Sequence, residues 1–314
     1  MIHFYKNRYK YFAVSFLLII IGVVALLVNG IQLDIQFKGG TILKYTYTDT
    51  IDAEKAGSLV QDTVGINTTG QLQTNMAKQE QMLILNIAGN EPISSEQQGA
   101  VAAALNEAFP DNQITLSESL TVEPFVGARF FSNGFLAIGI SFFLILVYVG
   151  FRFRNIGGIS AGSMAIVALV HDALMVTAAF VIFKIPLNDS YIAAVLTIIG
   201  FSINDTIVVY DRIRENEQLF GSKMPIDELV DKSISQSMSR SINTNVAVFA
   251  SITIVYIFAQ IFDIESIRSF ALPMMFGTIS GCYSTLCIAG PLWVMWKRHS
   301  AKAKSAKKLS TSKA

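Results

Sequence analysis

Six mostly apolar runs divide the chain, at residues 11–29, 130–151, 157–183, 191–210, 242–262 and 270–296. A helix rises about 1.5 Å per residue and a bilayer's hydrocarbon core is about 30 Å thick, so about 20 such residues suffice to cross it. Each run therefore predicts a transmembrane helix. Between the first two runs the pattern changes. Residues 41–48 alternate like a strand, 52–64 have helical periodicity, and 71–79 and 81–88 predict two further strands. A second helix is expected over 95–109, with Ser94 or Ser95 as its cap, and a last strand over 113–122. The order βαββαβ is that of a ferredoxin-like sandwich. The expected fold class is an α-helical polytopic membrane protein with six transmembrane helices and one extramembrane α+β ferredoxin-like domain. Four parts follow: residues 1–29 with the first helix, 30–128 as the separate domain, 129–296 as a five-helix bundle, and 297–314 as a basic tail.

Composition agrees with a membrane protein. Of 314 residues 52% are hydrophobic and only 15% charged, where soluble domains carry about a quarter charged, and mean hydropathy is +0.48. The net charge of +1 conceals segregation. If both termini are cytosolic, seventeen of the 24 lysines and arginines fall on the cytosolic side, the arrangement that the positive-inside rule favours. Residues 30–128 then face outward, where four lysines stand against twelve acids for a net charge of −8. Nothing in this distribution points to a nucleic-acid partner. The first run follows Lys6, Arg8 and Lys10 but ends without a small-residue cleavage site, so it is expected to stay as an anchor. Residues 297–314 are rich in Lys, Ala and Ser and lose apolar periodicity, which predicts a disordered extension near anionic membrane lipids. Cys282 and Cys287 lie on different helical faces and are expected to pack inertly.

The polar residues inside the apolar runs carry the candidate chemistry. Asp205 interrupts the fourth run, and an ionisable group at membrane depth is costly enough to suggest a task. At helical spacing Ser202, Asp205, Thr206 and Val209 share one face, with Asn204 nearly opposite. That wedge must face other helices or water. It is either a polar clasp or a proton carrier, because a carboxyl moved between apolar and cation-rich surroundings changes its hold on a proton. Arg240 heads a second polar face with Asn243, Thr244, Ala247 and Ser251, and is the preferred counter-charge for Asp205, the alternative being an ordinary interfacial arginine. His171 and Asp172 fall midway along the third run, where a histidine can join a proton relay. Gly277, Gly281 and Ser284 form a small-residue seam suited to close helix packing. No phosphate-binding loop, nucleophile elbow or metal-ligand spacing occurs, so no enzymatic activity, metal or cofactor is expected. The energy source would be an ion gradient, protons first and sodium as the alternative; 100 mV is worth about 2.3 kcal/mol per charge moved.

Three segments carry a family resemblance: GFSINDTIVVYDRIREN at 200–216, SISQSMSRSINT at 233–244 and VALVHD at 167–172. With the whole span plan they resemble the SecF family of bacterial protein-export membrane subunits, within the resistance-nodulation-division (RND) superfamily. The resemblance implies half of an RND-type transporter in the bacterial cytoplasmic membrane. It also implies pairing with SecD and action beside the SecYEG channel on unfolded preproteins, with YajC and YidC as further neighbours. By motif, the family's functional aspartate falls on Asp205 and its functional arginine on Arg240. Three departures stand out. Gln36 replaces an aspartate, with Asp34 two residues earlier; Val122-Glu123-Pro124 replaces V-G-P; and Arg152-Phe153-Arg154 replaces R-F-E. An exporter half for small molecules or lipids, or a passive scaffold of the translocon, are the competing expectations.

Overall fold

The computed structural model describes residues 3–33, 39–75, 80–89, 92–122, 124–221, 223–262 and 264–311. Asp34, Gln36 and Glu123, three of the positions where family departures were noted, lie outside them, as does the end of the strand expected over 71–79.

The extramembrane domain follows α1 (Arg8–Asn29) and runs β1 (Gly40–Tyr47), α2 (Ala53–Val64), β2 (Thr68–Asn75), β3 (Glu80–Ala88), α3 (Ser95–Ala108) and β4 (Thr115–Val122). Its sheet has the order β2-β3-β1-β4, with every pairing antiparallel. With one helix after β1 and one after β3, this is the ferredoxin-like connection. Both helices start at side-chain caps. Asp52 accepts from the Glu54 and Lys55 amides, and Ser94 forms a reciprocal capping box with Gln97. The helices bury Ala56, Val60, Val101 and Leu105 against Leu43, Tyr45, Leu83, Leu85 and Ile87 on one face of the sheet. At the tightest point a Cβ on Gly70 would stand 2.1 Å from the Ala53 carbonyl oxygen, so only glycine lets β2 lie this close to α2.

The remaining helices are α4 (Pro124–Arg152), α5 (Gly158–Ile182), α6 (Asp189–Phe220), α7 (Ile226–Ile261), α8 (Glu265–Ser284) and α9 (Gly290–Thr311). A π-helical turn, Thr285–Ala289, joins the last two into one span. Among the described residues, six segments are long and apolar enough to cross a membrane. Helices α5, α6 and the α8–α9 pair form the buried centre, whereas α1, α4 and α7 turn most of their apolar side chains outward. Leu27, Val28, Phe143, Val246 and Ile261 are all exposed, as expected of surfaces that meet lipid or another apolar helix.

At one end of the bundle, Arg152 pairs with Asp211 at 3.1 Å and Arg298 with Asp227 at 2.7 Å, and the Tyr5 amide donates to Asp231. At the other end, the Leu187 amide donates to the Gln32 carbonyl at 2.7 Å and Asn29 donates to the Val181 carbonyl, which ties α1 to the α5–α6 turn where the extramembrane domain begins.

The tail corrects one expectation. Residues 297–311 continue α9 as a helix and do not form a disordered extension. Lysine and alanine are good helix formers, and extending an existing helix avoids the nucleation cost that a separate segment would meet.

Candidate functional site

The middle of the bundle holds a polar seam where α5, α6 and α8 meet. Asp172 of α5 is fully buried. Its Oδ2 accepts from Ser202 Oγ of α6 at 2.6 Å and from Ser284 Oγ of α8 at 2.7 Å, and its Oδ1 accepts from Ser280 Oγ of α8 at 2.6 Å. These are short hydrogen bonds. His171 Nδ1 stands 3.3 Å from Asp172 Oδ1 and 3.4 Å from Ser280 Oγ, while its Nε2 is buried with no partner among the described residues. One carboxylate thus clasps three helices. The glycines of α8 allow this approach. A Cβ on Gly277 would stand 2.5 Å from Ile198 Cγ1, and one on Gly281 would stand 3.2 Å from Ser202 Cβ.

One turn along α6 the environment differs. Asp205 is 6% exposed and lies at the contact between α6 and α7. Its Oδ2 accepts from Asn245 Nδ2 of α7, which also donates to the Ser241 carbonyl at 2.9 Å. No other side-chain donor reaches this carboxylate among the described residues. Thr206 Oγ1 lies 3.0 Å from the Ser202 carbonyl and 3.0 Å from Thr285 Oγ1, in the π-helical turn. A widened turn beside a polar seam is a recurrent feature of functional sites.

Several expected residues take other positions. Arg240 is exposed and makes no ion pair with Asp205, although it is near enough to interact through space. Asn243 and Thr244 are also exposed. The polar face of α7 that meets α6 carries Ser237, Ser241 and Asn245 instead, rotated from the expected face by about one residue, or 100°. Asn204 points away from the seam and is exposed. The sequence pattern alone does not single out Asn245 or Ser280. Spacing does hold a signal for both: Ser241 and Asn245 are four apart, as are Ser280 and Ser284, so each pair shares a helical face. Ser284, expected only to pack, also donates to Asp172. Among the described residues no three His, Cys, Asp or Glu side chains gather around a common point for a metal ion.

A six-span bundle with a carboxylate seam at its centre and a ferredoxin-like domain between its first two spans is the architecture of a membrane transport subunit. Residues 100–299 match the family described as "Protein export membrane protein SecD/SecF, C-terminal". The chain is 32% identical over 295 residues to "Protein translocase subunit SecF" of Alicyclobacillus acidocaldarius, covering 93% of this chain and 92% of that one. It is 32% identical over 310 residues to the protein of the same name in Petrotoga mobilis, covering 97% and 99%. The chain therefore belongs to the SecF family of protein translocase subunits, which are transport components and not enzymes. Among solved structures it is similar to SecDF of Thermus thermophilus, a translocon-associated membrane protein, with a TM-score of 0.76, 27% identity and 95% of this chain covered. It is also similar to SecDF in a super-membrane-facing form, with a TM-score of 0.70, 27% identity and 98% covered. It spans 39% and 40% of the length of those two SecDF chains.

Proposed function

We propose that this chain acts with a SecD subunit as a proton-driven helper of protein export through SecYEG, with Asp205 as the group that gains and loses the proton. The observation that carries this reading is the contrast within the seam: Asp205 is nearly enclosed yet holds, among the described residues, a single side-chain donor, Asn245, across the α6–α7 contact. A carboxyl with so few fixed partners can change its charge state at modest cost, and that change would alter the fit of α7 against α6. Beside Asn245 an apolar groove of about 420 Å³ runs between α7 and α8, lined by residues that include Val246, Phe249 and Ile279. A second six-span half would place its own helices along this exposed side and close the seam from lipid. The similarity to two fifths of a SecDF chain supports such a half. Arg240 would complete the site as a mobile counter-charge, approaching Asp205 when the two halves shift.

In this reading the end bearing Arg8, Arg152, Arg212 and Arg298 faces the cytosol, which follows the positive-inside rule, and the acidic outer domain faces outward. Preprotein emerging from SecYEG would meet that domain, whose sheet face away from the helices leaves Leu120 exposed. YajC and YidC are assigned as peripheral partners, and no cofactor takes part beyond the ion gradient.

The test is export into sealed vesicles holding SecYEG, the ATP-driven motor, SecD and this chain. Asp205→Asn should abolish the stimulation that a proton gradient adds while leaving ATP-driven export intact. Full stimulation in the Asp205→Asn variant would make the chain a scaffold. Stimulation that follows a sodium gradient after protonophore treatment would replace the proton with sodium.

A further inference from the structure

At the end of the bundle away from the outer domain lies a cavity of about 720 Å³ that the seam does not use. Tyr5, Arg8 and Tyr9 line it from the N-terminal side, and Arg298, His299 and Lys302 from α9. Arg8 is the centre of the arrangement. Its guanidinium carbon lies 4.2 Å from the Tyr5 ring centroid and 4.3 Å from that of Tyr9. Its Nη1 donates to the Tyr5 carbonyl at 2.9 Å and its Nη2 to Tyr9 Oη at 3.2 Å. The Nε is buried and has no acceptor among the described residues. Among the described residues no carboxylate stands within ion-pair distance of Arg8, His299 or Lys302, while Arg298 is neutralised by Asp227 at 2.7 Å. The cavity is thus lined by two cations with no acid at ion-pair distance among the described residues and one cation held by an acid, and the Arg8 guanidinium is fixed by two aromatic rings. Its chemistry suits an anion with several oxygen acceptors.

The surroundings indicate where that anion comes from. Tyr9 is 65% exposed and Trp296 52% exposed at the same end, the placement of aromatic residues at a membrane–water interface. Phe16, 66% exposed, lies seven residues after Tyr9 on α1, hence on the same face and about 10 Å deeper. An apolar track therefore leads directly from the cationic cavity into the hydrocarbon region.

We propose that this cavity binds the phosphate of an anionic phospholipid headgroup, with Arg8 and Lys302 as its cationic ligands and the exposed face of α1 as the seat of an acyl chain. The proposal is independent of how the seam works. The test is native mass spectrometry of the full chain released from nanodiscs of equimolar phosphatidylglycerol and phosphatidylcholine. The wild-type chain should retain phosphatidylglycerol preferentially. A direct hydrogen bond to the charged phosphate is worth about a tenfold change in retention, so Lys302→Gln should lower it about tenfold and Arg8→Gln with Lys302→Gln about a hundredfold. Arg154→Gln, at the same end but outside the cavity, should leave it unchanged. Lys302 is exposed, so the single variant carries the test without a folding penalty. Equal loss in Lys302→Gln and Arg154→Gln would overturn the proposal in favour of diffuse surface charge, as would undiminished retention in the double variant. A second arm follows the thermal stability of the detergent-solubilised chain with inorganic phosphate. Stabilisation that the double variant lacks, together with no preference for phosphatidylglycerol, would keep the phosphate chemistry but overturn the lipid as its source.

Discussion

Asp172 and Asp205 are both buried carboxylates within the same bundle, yet their surroundings differ in kind. Asp172 sits at a three-helix junction and is held by three serine hydroxyls. Asp205 sits at a two-helix contact and is held by one amide. A buried carboxyl group whose oxygens are filled by fixed donors from several helices joins its neighbours firmly. A carboxyl group with one donor ties fewer elements together. Burial alone therefore does not distinguish the two; under the proposed function, the number of donors, and of helices they come from, is what separates a clasp from a switch.

The largest expected effect tests the clasp. In Asp172→Ala three buried hydroxyls lose their acceptor at once. An unpaired buried polar group costs about 1–3 kcal/mol, and breaking a buried charged network about 3–5 kcal/mol. Thermal unfolding of the detergent-purified chain should show a loss of about 3–5 kcal/mol, with a smaller loss in Asp172→Asn, which keeps one acceptor oxygen. A loss under about 1 kcal/mol in the alanine variant would remove the distinction between the two sites. Next comes the seam that lets the clasp close. Gly277→Leu must push against Ile198 and Val176, whose atoms would lie 2.5 and 2.9 Å from the first added carbon. Overpacking of this kind costs about 1–3 kcal/mol. Because it moves α8 away from α5, it should not be additive with Asp172→Ala in a double-mutant cycle.

Much of this architecture was legible in the sequence. Run length alone gives the six spans, and alternation with turn spacing gives the order of strands and helices in the outer domain, because burial on one face imposes period 2 or 3.6 on any chain. The clustering of Ser202, Asp205 and Thr206 on one face of α6 was equally readable from spacing. What spacing does not reveal is which neighbouring helix a face meets. On α7 a rotation of one residue exchanges Arg240 and Thr244 for Ser241 and Asn245 as the groups turned toward Asp205, and only the crossing of the two helices fixes that rotation. Ser280 escaped for the same reason: a lone serine in an apolar run gains meaning only when Asp172, 108 residues away, is brought opposite it. The helical course of residues 297–311 depends on attachment to a helix already formed, which composition does not record.

The contrast sharpens further at Asp205 itself. Asp205→Asn removes one charged hydrogen bond and keeps the shape, so the stability cost should be about 1.5 kcal/mol or less. Gradient-driven export, by comparison, should be lost. Equal destabilisation by Asp172→Asn and Asp205→Asn would show that both carboxylates are clasps and would return the chain to the scaffold reading.

Tyr45 of the outer domain extends the same comparison to a buried polar group with no partner. It is fully buried between Leu83 and Leu116 of the flanking strands, and its hydroxyl meets no donor or acceptor among the described residues. Burial pushes its phenol from an ordinary 10.0 up to about 12. The unfolded chain can then ionise this tyrosine at a pH where the folded domain cannot, so the folded state binds more protons above pH 10.0 and its stability declines as the pH rises toward about 12. Tyr45→Phe removes both effects. The variant should be more stable at neutral pH by about 1 kcal/mol, the cost of an unmade hydrogen bond, and its alkaline decline should be shallower. Thermal melts of the two full chains at pH 7.5 and near pH 11 would measure both changes. A destabilised phenylalanine variant would mean that the hydroxyl has a partner after all, and that counting donors, the measure that separates Asp172 from Asp205, must include groups such as bound water.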